Sequence, residues 1–121
     1  PTVPFKTSKD IDNTIEIFYK NNSDSVISCN KLSKPIDWIF SVDENGIIKQ
    51  KHNKKLKNRQ ESEVTFFPNG AIYVLKYSLL KEKYSYYSDK TYAYIMPEER
   101  SLDIDTEYDF KIAEFLVNKN L

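Results

Sequence analysis

The stretch from Thr7 to Cys29 constrains the fold of this chain most tightly. Thr7 and Asp10 have the three-residue spacing of a helix capping box. Behind them Ile11, Ile15, Phe18 and Tyr19 recur at one apolar stripe of a helix over residues 8–21. Asn21-Asn22-Ser23 ends that helix, and Ser25-Val26-Ile27-Ser28-Cys29 reads as a short buried strand. A helix that feeds directly into a buried strand is one step of an α/β fold. With 121 residues there is room for one small domain around one core.

The rest of the chain continues the alternation. Trp38 to Val42 and Ile47 to Gln50 flank Asp43-Glu44-Asn45-Gly46, a turn sequence, and predict a hairpin. Lys49, Lys51, Lys54, Lys55, Lys57 and Arg59 follow with no acid among them, a solvated loop by pattern. Ala71 to Leu75 reads as a strand, Ser78 to Lys83 as a short helix, and Tyr92 to Ile95 as a strand with alternating faces. The last helix is expected from about Thr106 to Asn118, with Thr106 and Asp109 as its capping box and Tyr108, Ile112, Phe115 and Leu116 as its apolar stripe. Seven of the nine tyrosines lie between Tyr73 and Tyr94.

Several function classes are disfavoured. The 18 basic and 18 acidic side chains balance, so no global field draws the chain to nucleic acid or to an anionic membrane. The basic run has no aromatic between Phe40 and Phe66 on which bases could stack. No apolar run approaches the ~18 residues of a membrane span. His52 is the only histidine and has no nucleophile beside it in sequence. The lone Cys29 excludes an internal disulfide and reads as core, which suits a reducing, cytoplasmic setting. Gly46 and Gly70 are the only glycines, too few for a loop that wraps phosphates with backbone N–H groups. The start at Pro1 rather than methionine reads as the middle of a longer chain.

Three constellations carry possible chemistry. In Ser101-Leu102-Asp103-Ile104-Asp105-Thr106, an extended backbone puts Leu102 and Ile104 on one face and Asp103 and Asp105 on the other. The two carboxylates would then stand ~7 Å apart, fit to flank a divalent cation. The other reading is that Asp105 caps the final helix and Asp103 is a surface residue. In Pro68-Asn69-Gly70-Ala71-Ile72-Tyr73, Gly70 permits close backbone approach at the start of a strand and Asn69 offers a donor and an acceptor to a sugar or base edge. Here the alternative is a turn entering a core strand. Finally Arg59 and Arg100 are the only arginines against sixteen lysines, and only a guanidinium fork binds a carboxylate or phosphate bidentately.

Taken in order, these pieces resemble the acylneuraminate cytidylyltransferases, or CMP-sialic acid synthetases. Asn69-Gly70-Ala71-Ile72-Tyr73 matches the family's NGAIY motif, Ser101-Leu102-Asp103-Ile104-Asp105-Thr106-Glu107 matches its SIDIDTE motif with one conservative change, and Arg59-Gln60 resembles its RQ pair. Pro1-Thr2-Val3-Pro4-Phe5-Lys6-Thr7 is similar to a QPTSPLRT segment, with Val3 for serine and Lys6 for arginine. The resemblance implies an incomplete α/β, Rossmann-like nucleotidyltransferase domain, the C-terminal half of the enzyme, with residues 38–67 as a projecting dimerisation arm. It implies transfer of CMP from CTP to a nonulosonic (sialic-acid-type) sugar, with release of pyrophosphate. Asp105 with Asp103 would hold Mg²⁺, Arg59 would face the sugar carboxylate or a phosphate, and Asn69, Tyr73, Tyr86 and Tyr87 would line the sugar pocket. The expected assembly is a homodimer, with neither membrane nor nucleic acid as partner. The competing expectation is a non-catalytic remnant or interaction module that folds and dimerises through the arm.

Overall fold

The computed structural model describes residues 2–51 and 63–119. His52, Arg59 and most of the basic run lie outside them. Among the described residues no helix is long and apolar enough to cross a membrane.

The chain divides into two compact units, residues 1–30 with 68–121 and residues 31–67. Helix α1 (Ser8–Lys20) opens the first unit, and its capping box is formed as the sequence predicts. Thr7 Oγ1 accepts from the Asp10 N–H, and the Asp10 carboxylate accepts from the Thr7 N–H. The buried face of the helix differs from the apolar stripe. Asp10 and Thr14 are buried, whereas Ile11 and Ile15 are each about two-fifths exposed and Tyr19 three-quarters. The reason is polar: Asp10 is drawn inward by donors from distant segments, and that rotates the stripe away from the sheet.

Strand β1 (Ser25–Lys31) is the centre of a three-stranded sheet, with its first five residues buried. Strand β5 (Thr91–Ile95) runs parallel to it, Ser25 opposite Thr91 and Cys29 opposite Ile95. Strand β4 (Phe66–Leu75) flanks the other side. There the Lys76 N–H donates to Asp24 O and the Ile72 N–H to the Ser28 hydroxyl, so β4 runs antiparallel and the sheet is mixed. β4 begins at Phe66 rather than at Ala71, which places Gly70 inside the strand, at φ +71°. Only glycine adopts that backbone without strain, and within a strand it marks a close approach.

Helix α2 (Tyr77–Lys83) and helix α3 (Glu107–Asn118) complete the unit. Thr106, not Asp105, is the N-cap of α3, in a second full capping box with Asp109. A side chain can close on the N3 amide only from the N-cap itself, so the reading of Asp105 as the cap is corrected. Ala113 is buried on α3 with Ile112 and Leu116 partly so, while Tyr108 and Phe115 of the expected stripe are exposed. Val3, Val26, Ile27, Ile72, Leu79 and Met96 supply the apolar core. α1 packed on a parallel β1–β5 pair is compatible with a Rossmann-like α/β domain.

The second unit contains the predicted hairpin. β2 (Phe40–Val42) pairs with β3 (Ile48–Gln50) antiparallel. The Asp43 carboxylate accepts the N–H groups of Asn45 and Ile47 across the turn, and Gly46 takes φ +81°. Trp38 lies in a short 3₁₀ turn, Ile36–Trp38, instead of the strand, because Pro35 starts a turn there. The hairpin is exposed on both strands, and nothing in the structure shows it acting as a dimerisation arm.

Candidate functional site

Four side chains that the sequence singles out come together in the first unit: Tyr73, Tyr86, Tyr87 and Asp103. Tyr73 stands on β4, three residues past Gly70. Its ring meets that of Tyr86 at 5.2 Å between centroids, tilted by 45°. Burial raises the Tyr73 phenol above its ordinary pKa, and the neighbouring Tyr87, Tyr86 and Asp103 add to the shift. At neutral pH the phenol therefore keeps its proton and can donate a hydrogen bond.

The loop bearing Tyr86 and Tyr87 is tied down at several points. Ser25 on β1 donates to the Tyr86 carbonyl at 2.6 Å. The Tyr87 N–H donates to Ser85 Oγ at 3.0 Å. Ser88 donates to Asp24 at 2.9 Å, and Lys76 reaches the same carboxylate at 2.9 Å. The hydrogen bonds from Lys76 and Ser88 hold the Asp24 carboxyl below its usual range. β1 thus anchors one side of the tyrosine group and β4 supplies the other.

Asp103 is half-buried rather than a surface residue, and its Oδ1 is buried with no hydrogen-bond partner among the described residues. A Cβ added to Gly70 would lie 3.5 Å from Asp103 Oδ2, so the strand backbone passes directly beside the carboxylate. The segment is held from its other side by the Ile104 N–H, which donates to Thr2 O at 2.8 Å. Asp105 is exposed. A buried carboxylate oxygen without a protein partner is met by a cation, a water or a donor from a ligand. Together with an exposed carboxylate two residues on, it fits a Mg²⁺ ion that takes one or two protein carboxylates and completes its shell with waters and substrate phosphates. No group of three or more acidic, histidine or cysteine side chains gathers among the described residues. A cation here would therefore be shared with its ligand and waters rather than caged by protein side chains.

Asn69 is placed differently from the expected pocket wall. It is buried, and its amide is fully engaged inside the protein. Oδ1 accepts from Ser28 Oγ at 2.6 Å and from the Ala71 N–H at 3.2 Å, while Nδ2 donates to Ser101 Oγ at 2.9 Å and lies 3.4 Å from Met96 Sδ. Arg59 lies outside the described residues. Arg100, the other arginine, is spent internally: it forks onto Asp10 at 2.8 and 3.2 Å. Sequence reasoning missed Ser28 and Ser101. The small hydroxyl residue inside a buried strand run was the available signal for Ser28, and Ser101 opens a quoted motif.

No family model matches the chain. Among curated proteins, it is 31% identical over 122 residues to the post-translational flagellin modification protein B of Campylobacter coli, covering 99% of this chain and 52% of that protein. It is 35% identical over 111 residues to an N-acylneuraminate cytidylyltransferase of Streptococcus agalactiae, covering 90% of this chain and 27% of the relative. It is 34% identical over 84 residues to a CMP-N,N'-diacetyllegionaminic acid synthase of Campylobacter jejuni, covering 69% of this chain and 35% of the relative. The chain thus spans about half the length of the first of these relatives and about a quarter to a third of the others.

Proposed function

We propose that this chain, a homologue of the acylneuraminate cytidylyltransferases, supplies the sugar-facing and metal-facing part of a site that transfers CMP from CTP to a nonulosonic acid. The observation that carries the reading is the grouping of Tyr73, Tyr86 and Tyr87 near Asp103, whose buried Oδ1 has no hydrogen-bond partner among the described residues. In the reaction the anomeric hydroxyl of the sugar forms a new P–O bond at the α-phosphorus of CTP. The bond to the bridging oxygen of the β-phosphate breaks, pyrophosphate leaves, and the hydroxyl proton is released to water.

Such chemistry depends on positioning and charge neutralisation more than on covalent help. Tyr73, Tyr86 and Tyr87 offer ring faces to the carbon skeleton of the sugar and hydroxyls to its polar groups. Asp103 and Asp105 would hold Mg²⁺, and a bound Mg²⁺ would neutralise phosphate charge. Asn69 supports the site from within. Arg59 is assigned to the sugar carboxylate or a phosphate. The phosphate cradle for CTP would come from outside this chain, in agreement with its two glycines. The names of the relatives include both sialic and legionaminic acids, which supports the sugar class and not one member of it.

A reaction that consumes CTP, with one buried thiol, suits the cytoplasm. A homodimer is part of the proposal, favoured by exposed Phe40, Val42, Ile48 and Phe67 in the second unit. The same exposed residues would serve the non-catalytic alternative, an interaction module. The test is pyrophosphate release from CTP, Mg²⁺ and a panel of nonulosonic acids by the full-length gene product. The proposal expects turnover that falls by orders of magnitude in Asp105→Asn and Asp103→Asn. Full activity in both variants would remove the carboxylates from the mechanism, and no turnover by the parent protein would favour the interaction module. The 121-residue chain by itself is expected to release no pyrophosphate.

A further inference from the structure

Ser28, Asn69 and Ser101 are all buried, at 0%, 5% and 8% exposure, and come from three separate segments of the chain. They form one directional chain of hydrogen bonds. The Ile72 N–H donates to Ser28 Oγ at 2.8 Å, and Ser28 donates to Asn69 Oδ1 at 2.6 Å. Asn69 Nδ2 donates to Ser101 Oγ at 2.9 Å, and Ser101 donates to Pro97 O at 2.8 Å. Every hydroxyl in it both donates and accepts. Apolar packing tolerates a slip between neighbouring segments, whereas a fully satisfied polar network admits one register only.

The register in question is that of β4 against residues 101–105. Asn69 precedes Gly70, whose backbone borders Asp103 Oδ2, and Ser101 lies two residues before Asp103. The network therefore grips Asp103 from its own segment and from the strand opposite. Tyr73 follows on that same strand. The contrast is informative: Ser28, Asn69 and Ser101 are hydrogen-bonded, while Asp103 Oδ1 has no partner among the described residues.

We propose that Ser101, acting through Asn69 and Ser28, is a positioning residue that holds the Asp103 carboxylate in register with Gly70 and Tyr73 so that its unpaired oxygen is set for a divalent cation. This rests on the reading of Asp103 as a metal-holding residue. The test uses Mn²⁺ alone as probe, on the isotopically labelled full-length protein. Paramagnetic broadening of the Gly70 and Asp103 amide signals is followed against Mn²⁺ concentration, with thermal melts alongside. Ser101→Ala is expected to raise the half-broadening concentration up to about tenfold, the lower end of what loss of a direct outer-sphere partner costs, because Ser101 reaches Asp103 through its segment and not through a bond to the carboxylate. Ser101→Thr, which keeps the hydroxyl, should return it towards the parent value, and Ser28→Ala should weaken binding from the far end of the chain. Should Ser101→Ala fail to fold, Ser28→Ala carries the same comparison. A lower melting temperature with unchanged Mn²⁺ dependence would make the network purely structural and overturn the proposal. Broadening that survives in Asp103→Asn, or is absent from the parent protein, would instead defeat the metal reading, and the inference with it.

Discussion

Replacing Asp10 by asparagine should destabilise the protein by about 3 kcal/mol at neutral pH. The Asp10 side chain is 1% exposed and receives five donors. Thr7 N, Thr7 Oγ1 and Arg100 Nε donate to Oδ2, and Tyr94 OH and Arg100 Nη2 donate to Oδ1. An amide has one acceptor oxygen, so in either orientation its NH₂ group would face two or three of these donors. Removing one partner of a buried ion pair costs about 3–5 kcal/mol. The lower end applies because the Arg100 side chain, 35% exposed, can turn to water. For a domain of this size that corresponds to roughly 10 °C in melting temperature. The pH dependence gives a second check. Burial alone would raise the Asp10 carboxyl, but Arg100, Thr7 and Tyr94 outweigh it and hold the group well below its ordinary value of 3.8. A carboxyl depressed in the folded state stabilises above its unfolded pKa and loses that contribution as pH falls through the window below it. The gap between parent and Asp10→Asn should thus be full at pH 7 and shrink steadily below about pH 4. Melts followed by circular dichroism at several pH values measure it. A gap under about 1 kcal/mol at pH 7, or one that does not narrow in acid, would refute the reasoning.

Three further outcomes are expected. Gly70→Ala should cost about 1–2 kcal/mol in urea denaturation, because the backbone there is left-handed and the new methyl meets only ordinary contact distances; parental stability would contradict the φ assigned to this residue. Thr106→Ala should cost about 1 kcal/mol by loss of the α3 cap, whereas Asp105→Asn should leave stability unchanged; the reverse order would restore Asp105 as the cap. Cys29 is buried and burial pushes its thiol pKa up, so it should resist a disulfide reagent at pH 8 until urea unfolds the chain; rapid labelling of the native protein would contradict its place in the core.

The sequence by itself determined the local features. Both capping boxes follow from a side chain and an amide three residues apart, a relation that needs no tertiary partner. The hairpin follows from Asp43 and Gly46 in the same way, and the buried run of β1 from Val26, Ile27 and Cys29 with only small serines beside them. The tertiary structure alone decided which faces turn inward. Asp10 reads as a cap, yet it becomes the buried centre of a network because Tyr94 and Arg100 arrive from more than eighty residues away. That arrival leaves Ile11 and Ile15 partly exposed. Asn69 reads as a ligand contact, but Ser28, Ala71, Ser101 and Met96 together occupy its amide. Asp103 reads as a surface acid from its spacing alone and as a metal ligand from the resemblance. Only the folded chain, with Gly70 passing beside it and Tyr73 near, shows a half-buried carboxylate with one oxygen unpaired among the described residues. Hydrogen bonds within a turn are encoded by spacing, whereas those between strands depend on register, which no local spacing contains.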